Sequence, residues 1–202
     1  MTETPLTLIK KAVFTTREYA VLNGISLSAA SKRLATLKRD GYLYKLTRAV
    51  WVVPDHPHFS LYGCVPILLG NEDGYVSFLS ALHQHGLLSQ IPKSVQIATT
   101  GHARRLDTEL GRFEFFQLHP RMMSDGVGWQ DAPLAFRMAG SEKALLDTFY
   151  VATRKGRRFA KLPEIDLSEG FSPKKFSALL EKQVPYHQIQ QVVARRLELL
   201  GS

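Results

Sequence analysis

The chain has 202 residues, of which 45% are hydrophobic and 22% charged, so its composition excludes a disordered chain and is typical of a globular protein. No apolar run approaches the roughly 20 residues that a membrane-spanning helix needs, and the single cysteine, Cys64, excludes an internal disulfide. We expect a cytoplasmic protein, because a chain with one cysteine suits a reducing compartment and because the first residues lack the basic-then-apolar order of a signal peptide.

The formal net charge of +8 favours a polyanionic partner. Residues 1–60 hold nine Lys and Arg but only four Asp and Glu, which leaves +5. The rest of the chain carries only +3. The first third is therefore the part of the chain in which we expect a nucleic-acid interface.

Two helices are predicted in this first third. Thr15 and Glu18 have the spacing of a capping box, and Gly24 suits the end of the short helix that follows. A second helix begins at Ser26 or Ser28, either of which can serve as its N-cap. Its apolar residues follow the i, i+4, i+7 spacing of one buried face, namely Ala30, Leu34 and Leu37.

A β-hairpin is predicted after the second helix, because "YLYKL" and "AVWVV" alternate in hydrophobicity around Thr47 and Arg48. Helix, short turn, helix and hairpin are the element order of a winged helix-turn-helix. We therefore predict a DNA-binding domain of this type over residues 1–55. The simpler alternative is a solvated amphipathic helix followed by a structural hairpin.

The predicted DNA contacts come from the second helix and the hairpin. A helix fits the major groove, and residues near its N-terminus approach base edges. We expect contacts from the exposed side of the helix and from the wing, and a further phosphate contact from Arg17. The helix residues are Ser28, Ser31, Lys32 and Arg33, and the wing residues are Lys45 and Arg48. Lys38 and Arg39 are expected to meet the DNA backbone or solvent.

Residues 56–202 are predicted to form a small mixed α/β domain with C-terminal helices, which makes the whole chain α+β. Strands are indicated by "SVQIATT", "RFEFFQLH" and "LAFRMAG", within a total of three or four. Ser77 and Ser141 are expected to be helix N-caps. Residues 119–129 are interpreted as a flexible connection.

A second basic cluster follows residue 153. Arg154, Arg157 and Arg158 are candidates for additional phosphate contacts. A solvated face or loop is the alternative, and it is the more common fate of such a cluster.

The sequence carries no recognisable enzyme motif, and we expect no cofactor and no catalytic site. The nearest approach to one is the set Glu142, Lys143, Asp147 and His83, which leaves a nucleotide-processing enzyme as a minor alternative. Lys143 and Asp147 are spaced i, i+4, which is commonly a helix-stabilising pair. His56 and His58 are expected to lie in a linker, and His83 and His85 to be structural, so no metal site is predicted.

Three segments in this order resemble the AbiEi antitoxin family of type IV toxin–antitoxin systems. They are the predicted winged helix, "YVSFLSALHQHGLLSQIP" with "VQIATT", and "AGSEKALLDTFY". The resemblance covers most of residues 1–155, and it departs from the family at Ser141, where the usual "PEKALLD" has Pro.

The resemblance implies a transcriptional regulator that represses its own operon and counteracts a nucleotidyltransferase-like toxin. Operators of this class are often inverted repeats, so two copies of the chain are expected on one site, and a single chain that binds alone or cooperatively is the alternative. The alternative is a protein-interaction module, in which the α/β domain docks a partner and the first domain does not bind specific DNA.

Overall fold

The computed structural model describes residues 11–130, 134–154, 159, 162–167 and 170–200. In these residues the chain has a mixed α+β fold with seven α-helices and two β-sheets. It divides into two compact units. Of the described residues, unit 1 holds 11–64, Asp107–Gly111 and Leu134, and unit 2 holds the others. No helix in the described ranges is long and apolar enough to cross a membrane.

Unit 1 combines two helices with a three-stranded antiparallel sheet in the order β1-β3-β2. Its elements are β1 (Val13–Thr15), α1 (Thr16–Leu22), α2 (Leu27–Arg39), β2 (Tyr44–Thr47) and β3 (Val50–Val52). A single 3-10 turn, Tyr62–Cys64, follows.

Local signals explain where the helices of unit 1 begin and end. The predicted capping box is confirmed, because Thr15 and Glu18 exchange hydrogen bonds between side chain and backbone. Ser26, rather than Ser28, is the N-cap of α2, and its hydroxyl accepts from the Ala29 N–H at 3.2 Å. Gly41 follows α2 with a φ of +86°, a conformation that favours glycine.

The core of unit 1 forms where α1 and α2 pack on the sheet. The predicted buried face of α2 is confirmed, since Ala30, Leu34 and Leu37 are all buried. They join aromatic residues in one hydrophobic cluster, among them Phe14, Tyr19 and Trp51. This cluster fixes which side of α2 faces outward.

Unit 2 is built on a six-stranded sheet in the order β6-β7-β5-β4-β9-β8. The strands are β4 (Gly74–Val76), β5 (Val95–Thr99), β6 (Arg104–Thr108), β7 (Gly111–Gln117), β8 (Val127–Gln130) and β9 (Phe136–Ala139). The helices are α3 (Val65–Leu69), α4 (Phe78–Gln84), α5 (Ser141–Ala152), α6 (Pro173–Gln183) and α7 (His187–Leu200).

Several details of this second part differ from the prediction. The stretch interpreted as a flexible connection contains a 3-10 turn, Pro120–Met122, and the edge strand β8. The sheet has six strands instead of three or four, because short strands such as β4 carry too little alternation to be recognised. Gly140, not Ser141, is the N-cap of α5. Ser77 is the N-cap of α4, but its hydroxyl makes no capping hydrogen bond.

Candidate nucleic-acid interface

The outward side of α2 carries a polar and basic stripe. Ser28, Lys32, Ala35 and Arg39 follow the spacing i, i+4, i+7 and i+11, and all four are exposed. We call these four residues the outer stripe. Because the opposite side of α2 is held in the core of unit 1, the stripe is presented on a rigid helix.

Three of the four predicted contact residues of α2 lie on or beside the outer stripe. Ser28 and Lys32 belong to it, Ser31 lies along one edge, and Arg33 lies about 100° around the helix from Lys32 on the other side; all four are exposed. Arg17 is exposed on α1. In the described part of the chain no carboxylate forms an ion pair with Lys32 or Arg33, so their charges are available to an external anion.

The sequence analysis expected Arg39 to meet the DNA backbone or solvent and did not place it on the same side of α2 as Lys32. The side chain of Arg39 is 75% exposed, and its Nε lies 3.6 Å from an Asp40 carboxylate oxygen. The helical spacing was the available signal, because a residue seven positions after Lys32 shares its side of the helix. Arg39 thus extends the outer stripe by one turn.

The two predicted hairpin residues are held differently. Arg48 is exposed in the turn between β2 and β3. Lys45 is half-buried in β2, and its Nζ lies 5.4 Å from the centre of the Trp51 ring. The Trp51 indole N–H donates to the Thr16 hydroxyl at 2.9 Å, which fixes the ring under the lysine.

Acidic residues also reach this hairpin within unit 1. Lys38, Lys45 and Arg48 line a groove together with Asp107 and Glu109. Glu109 is ion-paired with Lys38 at 2.6 Å. The basic surface of unit 1 is therefore interrupted by a carboxylate beside the hairpin.

The second basic cluster is described in part, because Arg157 and Arg158 lie outside the described residues. Arg154 is exposed, and its guanidinium donates to the Gln117 carbonyl at 2.7 Å. It lines a cavity of unit 2 with two arginines of β6 that the sequence analysis did not single out, Arg104 and Arg105. Arg104 is already paired with a Glu72 oxygen at 2.7 Å.

The four residues considered for the enzyme alternative contact different partners. Lys143 and Asp147 form an ion pair with both side chains fully buried. A Glu142 oxygen accepts from the Ser172 N–H at 3.0 Å, and His83 Nδ1 lies 2.8 Å from the Leu88 carbonyl oxygen. Because Lys143 and Asp147 have no exposed surface, they cannot contact a substrate in this conformation.

The buried Lys143–Asp147 pair is the centre of a hydrogen-bond network. Tyr75 and Ser77 donate their hydroxyl protons to the second Asp147 oxygen, at 3.0 Å and 2.7 Å. Burial raises the pKa of Asp147, although the Lys143 ammonium and the two hydroxyls oppose the shift. The network connects α5 to residues 75–77, and this arrangement is typical of a structural element.

The histidines interpreted as linker residues, His56 and His58, have ring centres 5.4 Å apart. Across the described residues, no three His, Cys, Asp or Glu side chains are grouped as metal ligands would be.

Sequence comparison does not assign the chain to a family. No family model matches it, and no curated protein matches it significantly. The exposed outer stripe and its neighbouring hairpin are therefore the observations on which a function can be argued.

Proposed function

We propose that the chain is a DNA-binding transcriptional regulator in which unit 1 is a winged helix-turn-helix. In this proposal α2 is the recognition helix, and the turn between β2 and β3 is the tip of the wing. The observation that carries the proposal is the outer stripe of α2, which is exposed, basic and fixed from behind by a hydrophobic core.

The chemistry of the stripe suits the major groove. Ser28 is small, so the beginning of α2 can approach base edges closely, and its hydroxyl can donate or accept. Lys32 and Arg39 can donate to guanine or to phosphate, and Ala35 can contact a thymine methyl group. Arg48 lies in the exposed turn, where it can donate to the DNA backbone.

The remaining parts of the proposal follow the AbiEi resemblance. The regulator would repress its own operon, and two copies would bind an inverted repeat in double-stranded DNA. Unit 2 would counteract a nucleotidyltransferase-like toxin through protein contacts. No catalytic step and no cofactor belong to this proposal.

The test is fluorescence anisotropy of the full chain on its own upstream DNA and on a scrambled duplex, over a range of salt concentrations. We expect tight binding to the upstream DNA and a steep loss of affinity with salt, because each neutralised phosphate releases counterions. Lys32→Ala should weaken binding to the upstream DNA by about tenfold, the lower end of a good base contact. Arg48→Ala should weaken binding to both duplexes, because its contact is to the DNA backbone. Lys175→Ala, an exposed lysine of α6, is the matched control for lost charge.

Two results would contradict this function. Equal and weak binding to both duplexes would show only the general attraction of a basic protein. Unchanged affinity in both Lys32→Ala and Arg48→Ala, relative to Lys175→Ala, would show that neither α2 nor the hairpin turn is the contact surface.

One observation favours the alternative of a protein-interaction module. Tyr186, Val192 and Leu199, on or next to α7, are 59%, 48% and 68% exposed. Val192 and Leu199 are seven residues apart and so share one side of α7, and exposed apolar side chains that group on one side are typical of protein contact surfaces. Co-purification of a neighbour-encoded protein, together with no preference for upstream DNA, would favour this alternative over the regulator.

A further inference from the structure

The ion pair between Lys38 and Glu109 lies at the edge of the proposed DNA-binding surface. Its Nζ–Oε1 distance is 2.6 Å, and the two side chains are 37% and 43% exposed. Lys38 is in the last turn of α2, seven residues after Ser31, so the two share one edge of the helix. Glu109 lies in the turn between β6 and β7, and residues 107–111 are part of unit 1.

Lys45 contributes to the same position. Lys38 lowers the pKa of Glu109 most, and the backbone amide and positive charge of Lys45 lower it further. Lys38, Lys45 and Glu109 also line one groove, together with Arg48. The Glu109 carboxylate is therefore bound by the ammonium of Lys38 and by the backbone amide of Lys45, in a groove that the Lys45 side chain also lines. Donors of this kind also suit a phosphate.

We propose that Lys38 and Lys45 form a phosphate-binding site that the Glu109 carboxylate occupies in the free protein. In the DNA complex, a backbone phosphate would take the place of that carboxylate. The proposal rests on the proposed DNA-binding function and adds a site and a built-in competitor to it. It assigns a DNA contact to Lys38, and it makes Glu109 a residue that limits affinity without reading sequence.

The exchange is physically reasonable because the two anions offer similar oxygens to an ammonium group. Ion pairs between partly exposed side chains contribute little to stability and are screened by salt. A DNA phosphate has the additional advantage of counterion release. The Glu109 side chain can therefore leave Lys38 without unfolding the turn.

The test compares Glu109→Gln with wild type on both duplexes over a range of salt concentrations. We expect the substitution to tighten binding to both duplexes about three- to tenfold at low salt, because the contact is to the backbone. Glu198→Gln, an exposed residue of α7, is the control for the same change in net charge. It should change affinity much less.

A second variant separates local competition from general electrostatics. Lys38→Ala should weaken binding to both duplexes, and Glu109→Gln should have little further effect once Lys38 is absent. If Glu109→Gln acts only as strongly as Glu198→Gln, or acts equally with and without Lys38, the phosphate site is wrong while DNA binding itself stands. If wild type and all variants bind neither duplex, the proposed function fails, and this inference fails with it.

Discussion

Helices α2 and α5 have nearly the same length, 13 and 12 residues, but opposite environments. Helix α2 buries three residues and exposes Lys32, whereas α5 buries every residue from Lys143 to Ala152. Only one side of α2 faces a hydrophobic core, whereas α5 lies in the centre of a core. The difference shows that the role of a helical lysine, in a surface or in a core, depends on the tertiary contacts around it.

The free-energy cost of a lysine charge also differs between the two helices. Lys32 stays in solvent, where its charge costs nothing in folding and can bind an anion. Lys143 has lost its water, so its charge is tolerable only because Asp147 lies beside it. Unit 1 thus uses helical charge for a surface, and unit 2 uses it inside its core.

The sharpest test of this contrast is the same substitution on each helix. Lys143→Met should lower the free energy of unfolding by about 3–5 kcal/mol, because it leaves Asp147 buried without a counter-charge. Lys32→Met should change it by no more than about 0.5 kcal/mol, as surface substitutions usually do. Urea unfolding followed by far-UV circular dichroism measures both.

The pH dependence gives the first variant a second signature. A carboxyl group whose folded-state pKa is above its unfolded value binds more protons when folded, so falling pH favours the folded state. Burial raises the pKa of Asp147, and removing Lys143 removes the largest opposing influence. The stability deficit of Lys143→Met should therefore shrink as the pH falls toward the ordinary range of Asp. A deficit that is absent at neutral pH would contradict the structural role of the pair.

A second comparison stays within α2. Leu34 is fully buried and Leu27 is 51% exposed, although both are leucines of one helix. Leu34→Ala should destabilise unit 1 by about 2–5 kcal/mol, through lost burial and a cavity. Leu27→Ala should cost less than about 1 kcal/mol. Fluorescence reports unit 1, because Trp51 is buried there and Trp129 is already 68% exposed; equal losses would show that the packing of α2 is wrong.

The contrast also explains which parts of the molecule the sequence could predict. Helix α2 was predicted with its buried face because its signals are local: a serine cap, an apolar stripe and Gly41. The spacing of Lys143 and Asp147 was likewise visible, and it was interpreted as a pair. Their burial was not predictable, because it depends on Tyr75 and Ser77, about 70 residues earlier in the chain.

The candidate DNA interface shows the same limit. The exposed residues of α2 could be proposed from helical periodicity alone, since the core side leaves only one side for solvent. The ion pair between Lys38 and Glu109 could not be predicted, because the two residues are far apart in sequence and only the fold brings them together. Local signals therefore predict which residues of a helix are exposed to solvent, and tertiary contacts decide which of these already have a partner within the protein.

A smaller effect is expected at the beginning of α1. The Thr15 hydroxyl accepts from the Glu18 N–H at 3.1 Å, so Thr15→Ala should remove this cap and cost about 1 kcal/mol. Thr36→Ala, at an exposed position inside α2, should be neutral or slightly stabilising because alanine is the better helix former. Trp51 fluorescence in a urea titration measures both, and a loss of stability as large for Thr36→Ala would contradict a specific capping role.

The smallest expected effect concerns the other half of the capping box. Glu18 accepts from the Thr15 N–H at 2.7 Å and pairs with Lys11 at 2.8 Å, and these contacts lower its pKa, with the Lys11 contact the largest influence. A carboxyl group with a lowered folded-state pKa stabilises the fold above its unfolded pKa, and this stability is lost as the pH falls through the folded value. Glu18→Gln should therefore be less stable than wild type at neutral pH, by less than about 1 kcal/mol because the pair is exposed. Below the lowered pKa the two proteins should become equally stable. A stability difference that stays constant from neutral to acid pH would show that the effect comes from the geometry of the side chain rather than from its charge. It would also distinguish the cap from the ion pair with Lys11. The cap belongs to α1, whose neighbour α2 carries the proposed interface.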